Sequence, residues 1–125
     1  MKSLKKFVVT GQQTIKDAIS VIQGNFSRCV IVVSDKNKVV GTFSEGDILR
    51  LILEDVELYS HIKGVINPSF RYLNKRDMLL AYQMVKKYGI TLIPVVDRNF
   101  ILKDVITIFQ VIDQLSFNSK KKAVK

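Results

Sequence analysis

Apolar positions along the chain change their spacing in an order that runs through twice. Phe7-Val8-Val9 reads as a short strand. From Thr14 the period lengthens: Ile15, Ala18, Ile19 and Ile22 recur at i, i+3, i+4 and i+7, one face of an amphipathic helix. Thr14 is placed to cap that helix and Gly24-Asn25 to break it. Cys29 to Val33 is continuously apolar and β-branched, the pattern of a strand buried on both faces. Asp35 to Lys38 is a turn and Val39 to Phe43 a returning strand. After Ser44-Glu45-Gly46-Asp47, the residues Ile48, Leu49, Leu51, Ile52 and Leu53 crowd a short helix.

The second half answers element by element. Asn67-Pro68 marks a turn before the extended run Phe70 to Leu73. Met78, Ala81, Tyr82 and Val85 give a helical face within a helix expected from about Lys75 to Tyr88, with Gly89 ending it. Leu92 to Val96, then Phe100 to Leu102 with Val105-Ile106, supply the strands. The strands superpose at a shift of 62, Ile31 on Ile93, and the helix faces at a shift of 63, Ala18 on Ala81. A strand-helix-strand-strand-helix unit used twice predicts an α/β fold of two pseudo-twofold-related units. Copies of about 60 residues are marginal alone and gain by packing their sheets together. Pro94 cannot donate a ladder hydrogen bond and belongs at an edge, a strand start or beside a site.

Composition narrows the function classes. The 125 residues are 47% apolar, with a net charge of +9. No stretch approaches the roughly 18–20 apolar residues of a membrane span, and the start does not read as a secretory signal. One cysteine, Cys29, excludes an internal disulfide and fits a reducing cytoplasm. With His61 the only histidine, soft ligands are too few for zinc, and the common Ser-His-Asp and Cys-His constellations would all have to use that same residue. Lys2, Lys5, Lys6, Lys120, Lys121, Lys122 and Lys125 carry seven of the nine net charges. They read as solvated tails without interleaved aromatic rings, so nucleic-acid binding is the weaker expectation. His61 reads as an exposed linker residue, Cys29 as a buried small hydrophobe, and Met78 and Met84 as core filling. Glu54, Asp55 and Glu57 read as the solvated end of the preceding helix.

The richest chemistry is Gly41-Thr42-Phe43-Ser44-Glu45-Gly46-Asp47 at a strand-to-helix junction. Gly41 lets a group approach the backbone. Ser44 offers a hydroxyl, Asp47 a carboxylate of the kind that accepts sugar hydroxyls, and a helix N-terminus favours an anion. Ser-x-x-Asp is equally an ordinary capping pattern.

Together with Val30 to Asp35 and the answering Leu92 to Asp97, this heptapeptide resembles a tandem CBS-domain pair, the regulatory module named after cystathionine β-synthase. The resemblance runs from about Phe7 to Phe109. It implies a module that binds an adenine nucleotide (AMP, ADP or ATP) as a regulatory ligand, with no covalent or metal cofactor and no chemistry of its own. Carried over, Ser44 takes the phosphate and Asp47 the ribose, while Val9, Thr10 and Val30 line the base beside Gly41, Thr42 and Phe43. In the second copy, Asp104 to Gln110 keeps a hydroxyl at Thr107 but has Asp104 for glycine and Gln110 for the acid. That departure implies a weak or absent second site, with Asp104 repelling phosphate.

Gly41 to Arg50 also resembles a run in bacterial nucleotidyltransferases that carry a CBS pair ahead of a sugar-phosphate nucleotidyltransferase domain; Arg50 would then reach a phosphate. The resemblance implies a first motif at 1–63, a degenerate second at 64–112, and a basic tail or linker at 113–125 toward a downstream catalytic domain. Homodimerisation through helices is the further expectation, with Ile48, Leu51 and Ile52 as the exposed apolar face. A ligand-free dimerisation module is the alternative.

Overall fold

The computed structural model describes residues 4–66 and 68–124, with side chains described through residue 116. Asn67 and the side chains of the C-terminal lysines lie outside the described residues.

A turn of 3-10 helix, Lys5–Phe7, leads into β1 (Val8–Thr10), α1 (Ile15–Asn25), β2 (Cys29–Val33), β3 (Val39–Ser44) and α2 (Glu45–Leu53). The second half adds α3 (Met78–Tyr88), β4 (Leu92–Val96), β5 (Leu102–Thr107) and α4 (Ile108–Val124). In the first sheet β2 lies between parallel β1 and antiparallel β3; in the second β4 pairs antiparallel with β5.

The two hairpins share one register. Cys29 pairs with Ser44 and Leu92 with Thr107, and each hairpin carries an irregularity at the same place, Val32/Val33 and Val95/Val96. The shift between copies is therefore 63 in the strands as in the helices. That corrects the strand superposition: Ile93 lies on Val30, and Pro94 on Ile31. Pro94 sits mid-strand and fully buried. Ile31 pairs with Val8 of β1, whereas Pro94 has no N–H to offer on that side. The counterpart of β1 accordingly shrinks to one bridge, Leu73 to Val95.

Alternation along the central strands divides the core in three. Val30 and Val32 join Val9, Ile15, Ala18, Ile22 and Phe43 inside the first half, and Ile93 and Val95 join Ala81, Met84 and Ile106 inside the second. Cys29, Ile31 and Val33 point the other way, onto Leu92, Val96, Leu102 and Val105, in a core that both halves share. Burial of β2 and β4 on both faces follows from this sandwich. Each buried Val or Ile contributes about 1.5–3 kcal/mol.

At the pseudo-twofold axis the hairpin turns bond to each other. The N–H of Val39 donates to the Phe100 carbonyl at 2.8 Å and the N–H of Leu102 to the Asn37 carbonyl at 3.0 Å. Asn37 and Phe100, themselves related by the shift of 63, are both left-handed, with φ of 63° each. Asp97 shapes its turn by accepting from the N–H groups of Ile101 and Asn99, which holds its carboxyl below the usual range.

Local chemistry adjusts three element ends. α1 continues through Asn25 and stops where Phe26 turns left-handed, φ 58°, the position of Gly89 after α3. α3 starts at Met78, not Lys75, because the Asp77 carboxylate accepts from the Leu80 N–H as its cap. α4 runs on through Val124, so the expected boundary at 112/113 falls inside a helix. The connection between halves is strapped down: Ile62 N–H donates to Gln13, and Lys63 N–H to Gly11, where a Cβ would meet Lys63 Cβ at 3.0 Å. His61 is exposed on it. Among the described residues no helix is long and apolar enough to cross a membrane.

Candidate functional site

The strand-to-helix junction after β3 is held by reciprocal bonds. The Ser44 hydroxyl accepts from the Asp47 N–H at 3.2 Å, and Asp47 Oδ2 accepts from the Ser44 N–H at 2.8 Å and from its hydroxyl at 3.0 Å. This capping box fixes both side chains on the first turn of α2. Asp47 Oδ1 is committed only to Arg50 at 3.4 Å, a pair half open to solvent. Such an exposed contact contributes little to stability.

Ser44 and Asp47 line a cleft of about 460 Å³ between the halves. Small-molecule sites range over roughly 300–1,000 Å³. From the first half come Arg28, Cys29, Thr42 and Glu45-Gly46; from the second come Arg71 and the run Tyr88 to Leu92. Buried Leu92 and half-buried Ile90 give an apolar wall. Burial pushes the Cys29 thiol up to about 12, so it lines the cleft as a neutral group. Thr91 ties the halves by donating its hydroxyl to the Ser27 carbonyl.

The expected site residues thus part company. Thr42, Ser44 and Asp47 are brought together in the cleft. Val9, Val30 and Phe43 pack within the first half's core, 1%, 0% and 1% exposed, because the inward-facing positions of β1, β2 and β3 close on α1 and α2. Gly41 and Arg50 flank the motif without lining the cleft, Thr10 pairs with Val33 at the far end of β2 from Ser44, and Thr107 lines the other cleft. The contribution of Arg28, Arg71, Tyr88 and Thr91 escaped the sequence reading. The repeat itself carried the signal: the loop before each central strand faces the other half's motif.

Thr107 sits in the pseudo-equivalent cleft, about 410 Å³, with Gln110, Lys6, Phe7, Asn25, Phe26, Ser27 and Phe109. Thr107 and Gln110 repeat the capping box, the Thr107 N–H donating to Gln110 Oε1 at 2.9 Å and the Gln110 N–H to the hydroxyl at 3.2 Å. The copy keeps the cap and loses the charge. Asp104 does not act as expected, for it turns to Arg76 at 2.8 Å and lines neither cleft.

Two halves in one register, capped alike and enclosing a pair of equivalent clefts, agree with the comparisons. Residues 3–54 match the family model described as CBS domain. A CBS domain protein of Pyrobaculum aerophilum complexed with AMP superposes with a TM-score of 0.71 at 17% identity, over 94% of this chain and 99% of that one. The chain folds as a tandem CBS pair. The cytosolic domain of the Mg2+ channel MgtE in complex with ATP shares this CBS-pair fold, with a TM-score of 0.67 at 20% identity, over 85% of this chain and 43% of that one. Among curated sequences, homoserine O-acetyltransferase of Methanobrevibacter ruminantium is 30% identical over 100 residues, 78% of this chain. The chain spans only 20% of that relative's length. Among the described residues of this CBS pair no cluster of His, Cys, Asp and Glu is arranged to hold a metal ion.

Proposed function

We propose that this CBS pair is a regulatory, non-catalytic module that binds an adenine nucleotide reversibly in the Ser44–Asp47 cleft. The carrying observation is the fixed Asp47 carboxylate, with one oxygen committed only to an exposed Arg50, at the edge of a cleft walled by both halves. In this reading Asp47 takes the ribose hydroxyls, Ser44 and Thr42 flank the phosphate, and Ile90 and Leu92 flank the base. A ligand that touches both halves favours one relative arrangement of them, and its differential affinity, typically about 1–3 kcal/mol, is what an attached domain can read. AMP in the Pyrobaculum aerophilum neighbour and ATP in the Mg2+ channel domain support the ligand class. The partner we propose is an attached catalytic domain, with a sugar-phosphate nucleotidyltransferase suggested by Gly41 to Arg50. The curated relative, far longer than this chain, supports attachment in general. The cytoplasm is the proposed compartment, and 1–63 and 64–112 are the proposed functional halves.

Calorimetric titration with AMP, ATP and a nucleotide-sugar, on wild type and Asp47→Gln, tests this. Glutamine is chosen because Gln110 shows that an amide still caps the helix. Adenine-nucleotide binding that survives the substitution unchanged would sink the assignment.

A second reading, a ligand-free dimerisation module, has its own observation. The expected contact face is corrected, since Ile48 and Leu51 are buried at 7% and 4%. What α2 leaves exposed is Leu49, Ile52 and Leu53, and α4 leaves Phe109, Ile112 and Leu115. Sedimentation of wild type beside Leu49→Glu separates a dimer held by that face from a monomer. Binding through the basic tails would instead show a steep salt dependence.

A further inference from the structure

The two clefts share their backbone and differ in charge. Two cations line the first, Arg28 after α1 and Arg71 before α3, and Lys87, in the last turn of α3, lies behind them at the Tyr88 ring rather than in the lining. The Arg71 guanidinium lies 3.7 Å from the centroid of the Tyr88 ring, and Lys87 Nζ lies 5.3 Å from it. None of the three forms an ion pair among the described residues. The counterparts of Arg28, Arg71, Lys87 and Tyr88 at the shift of 63 are Thr91, Val8, Gly24 and Asn25. The second cleft has one cation among its lining residues, Lys6. Helix-dipole complementarity accounts for Lys87 at the end of α3 but not for arginines that arrive from two other segments.

Two carboxylates share the first cleft with the arginines: Asp47, whose Oδ1 meets Arg50 at 3.4 Å outside the lining, and Glu45. A guanidinium stacked on an aromatic ring is held flat and keeps its donor edge free, which suits two-pronged bonding to phosphate oxygens. Two guanidinium groups from different segments, neither in an ion pair among the described residues, offer more donors than one phosphate needs and suit a ligand with more than one.

Building on the adenine-nucleotide reading, we propose that the first cleft selects nucleoside polyphosphates over monophosphates, with Arg71, held on Tyr88, as the specificity-determining residue for the outer phosphates. Arg28 and Lys87 strengthen the same field. Thr91, at Arg28's position in the other copy, cannot.

The test is calorimetry on the full chain with ATP and AMP at low and at moderate salt. Wild type is expected to hold ATP at least roughly tenfold more tightly than AMP, a difference that narrows as salt screens the cations. Arg71→Gln is expected to bring ATP down to the affinity of AMP while AMP changes by less than about twofold. Glu45→Gln, which removes the opposing charge, should tighten ATP and leave AMP little altered. ATP binding no tighter than AMP in wild type, or Arg71→Gln weakening both alike, overturns this proposal alone. Absence of any nucleotide binding, or ATP binding indifferent to Asp47→Gln, overturns the underlying reading with it. Arg71 is exposed and outside the core, so a fold intact by circular dichroism accompanies either result.

Discussion

Ser44–Asp47 and Thr107–Gln110 occupy the same place in two copies of one backbone, and both close the same reciprocal cap on the helix that follows. Their surroundings diverge. Beside the first lie Arg28, Arg71 and Tyr88 and an acid with one oxygen held only by Arg50; beside the second lie Phe7, Phe26 and an amide. A cap demands only a hydroxyl and an acceptor three residues on, which Gln supplies as well as Asp. Gripping a charged sugar-phosphate demands a carboxylate, cations and room. The second copy therefore has the capping residues and lacks the carboxylate and the arginines.

The largest expected effect strikes what the copies hold in common. Ile31→Ala empties the shared core and should cost about 2–5 kcal/mol in urea unfolding. A loss near zero would mean that the two halves are stable apart. Next, Asp47→Gln rewrites the first motif as the second and should weaken adenine-nucleotide binding by at least roughly tenfold with little change in stability. The reverse change, Gln110→Asp, should create no comparable site, since Phe7 and Phe26 line that cleft and Lys6 is the one lining cation. Smaller still, Ser44→Ala and Thr107→Ala should each cost about 1 kcal/mol of stability, with only the former altering calorimetric titrations. Unequal costs would show that the two caps are not equivalent.

The smallest effect concerns Cys29, at the position of Leu92. Its thiol is raised by burial from 9.0 to about 12. The unfolded thiol ionises first, the folded state retains its proton, and stability contributed by this group falls as pH rises from about 9 toward 12. Unfolding at pH 8 and pH 10 should show a steeper alkaline loss in wild type than in Cys29→Ala.

Much of the fold could be read from spacing, because an apolar period is a local signal that burial enforces. Ile15, Ala18 and Ile22 face the core as their spacing requires, and β2 is buried on both faces. The strand register slipped by one, since Ile31 and Ile93 look alike in sequence while hydrogen bonding pairs Ile31 with Pro94's position. On α2 the apolar residues surround the helix too fully for sequence to say which of Ile48, Leu49, Leu51 and Ile52 turn inward. Ser44 and Asp47 stood out because chemistry and capping pick the same residues. Arg71 and Tyr88 did not: neither belongs to a motif, and only the approach of the second half's loop brings them to the first half's helix. Val9 and Val30 look like pocket lining in one dimension, but their alternation sends them into the core.

The joint formed by Asn37–Val39 and Phe100–Leu102 reads the same from either side. A joint with that property cannot tell the lobes apart, so it places no demand on one lobe that it does not place on the other. Identity then resides wholly in side chains away from the axis. The two lobes can therefore differ in every side chain beyond the axis while the pair of backbone bonds that joins them stays the same.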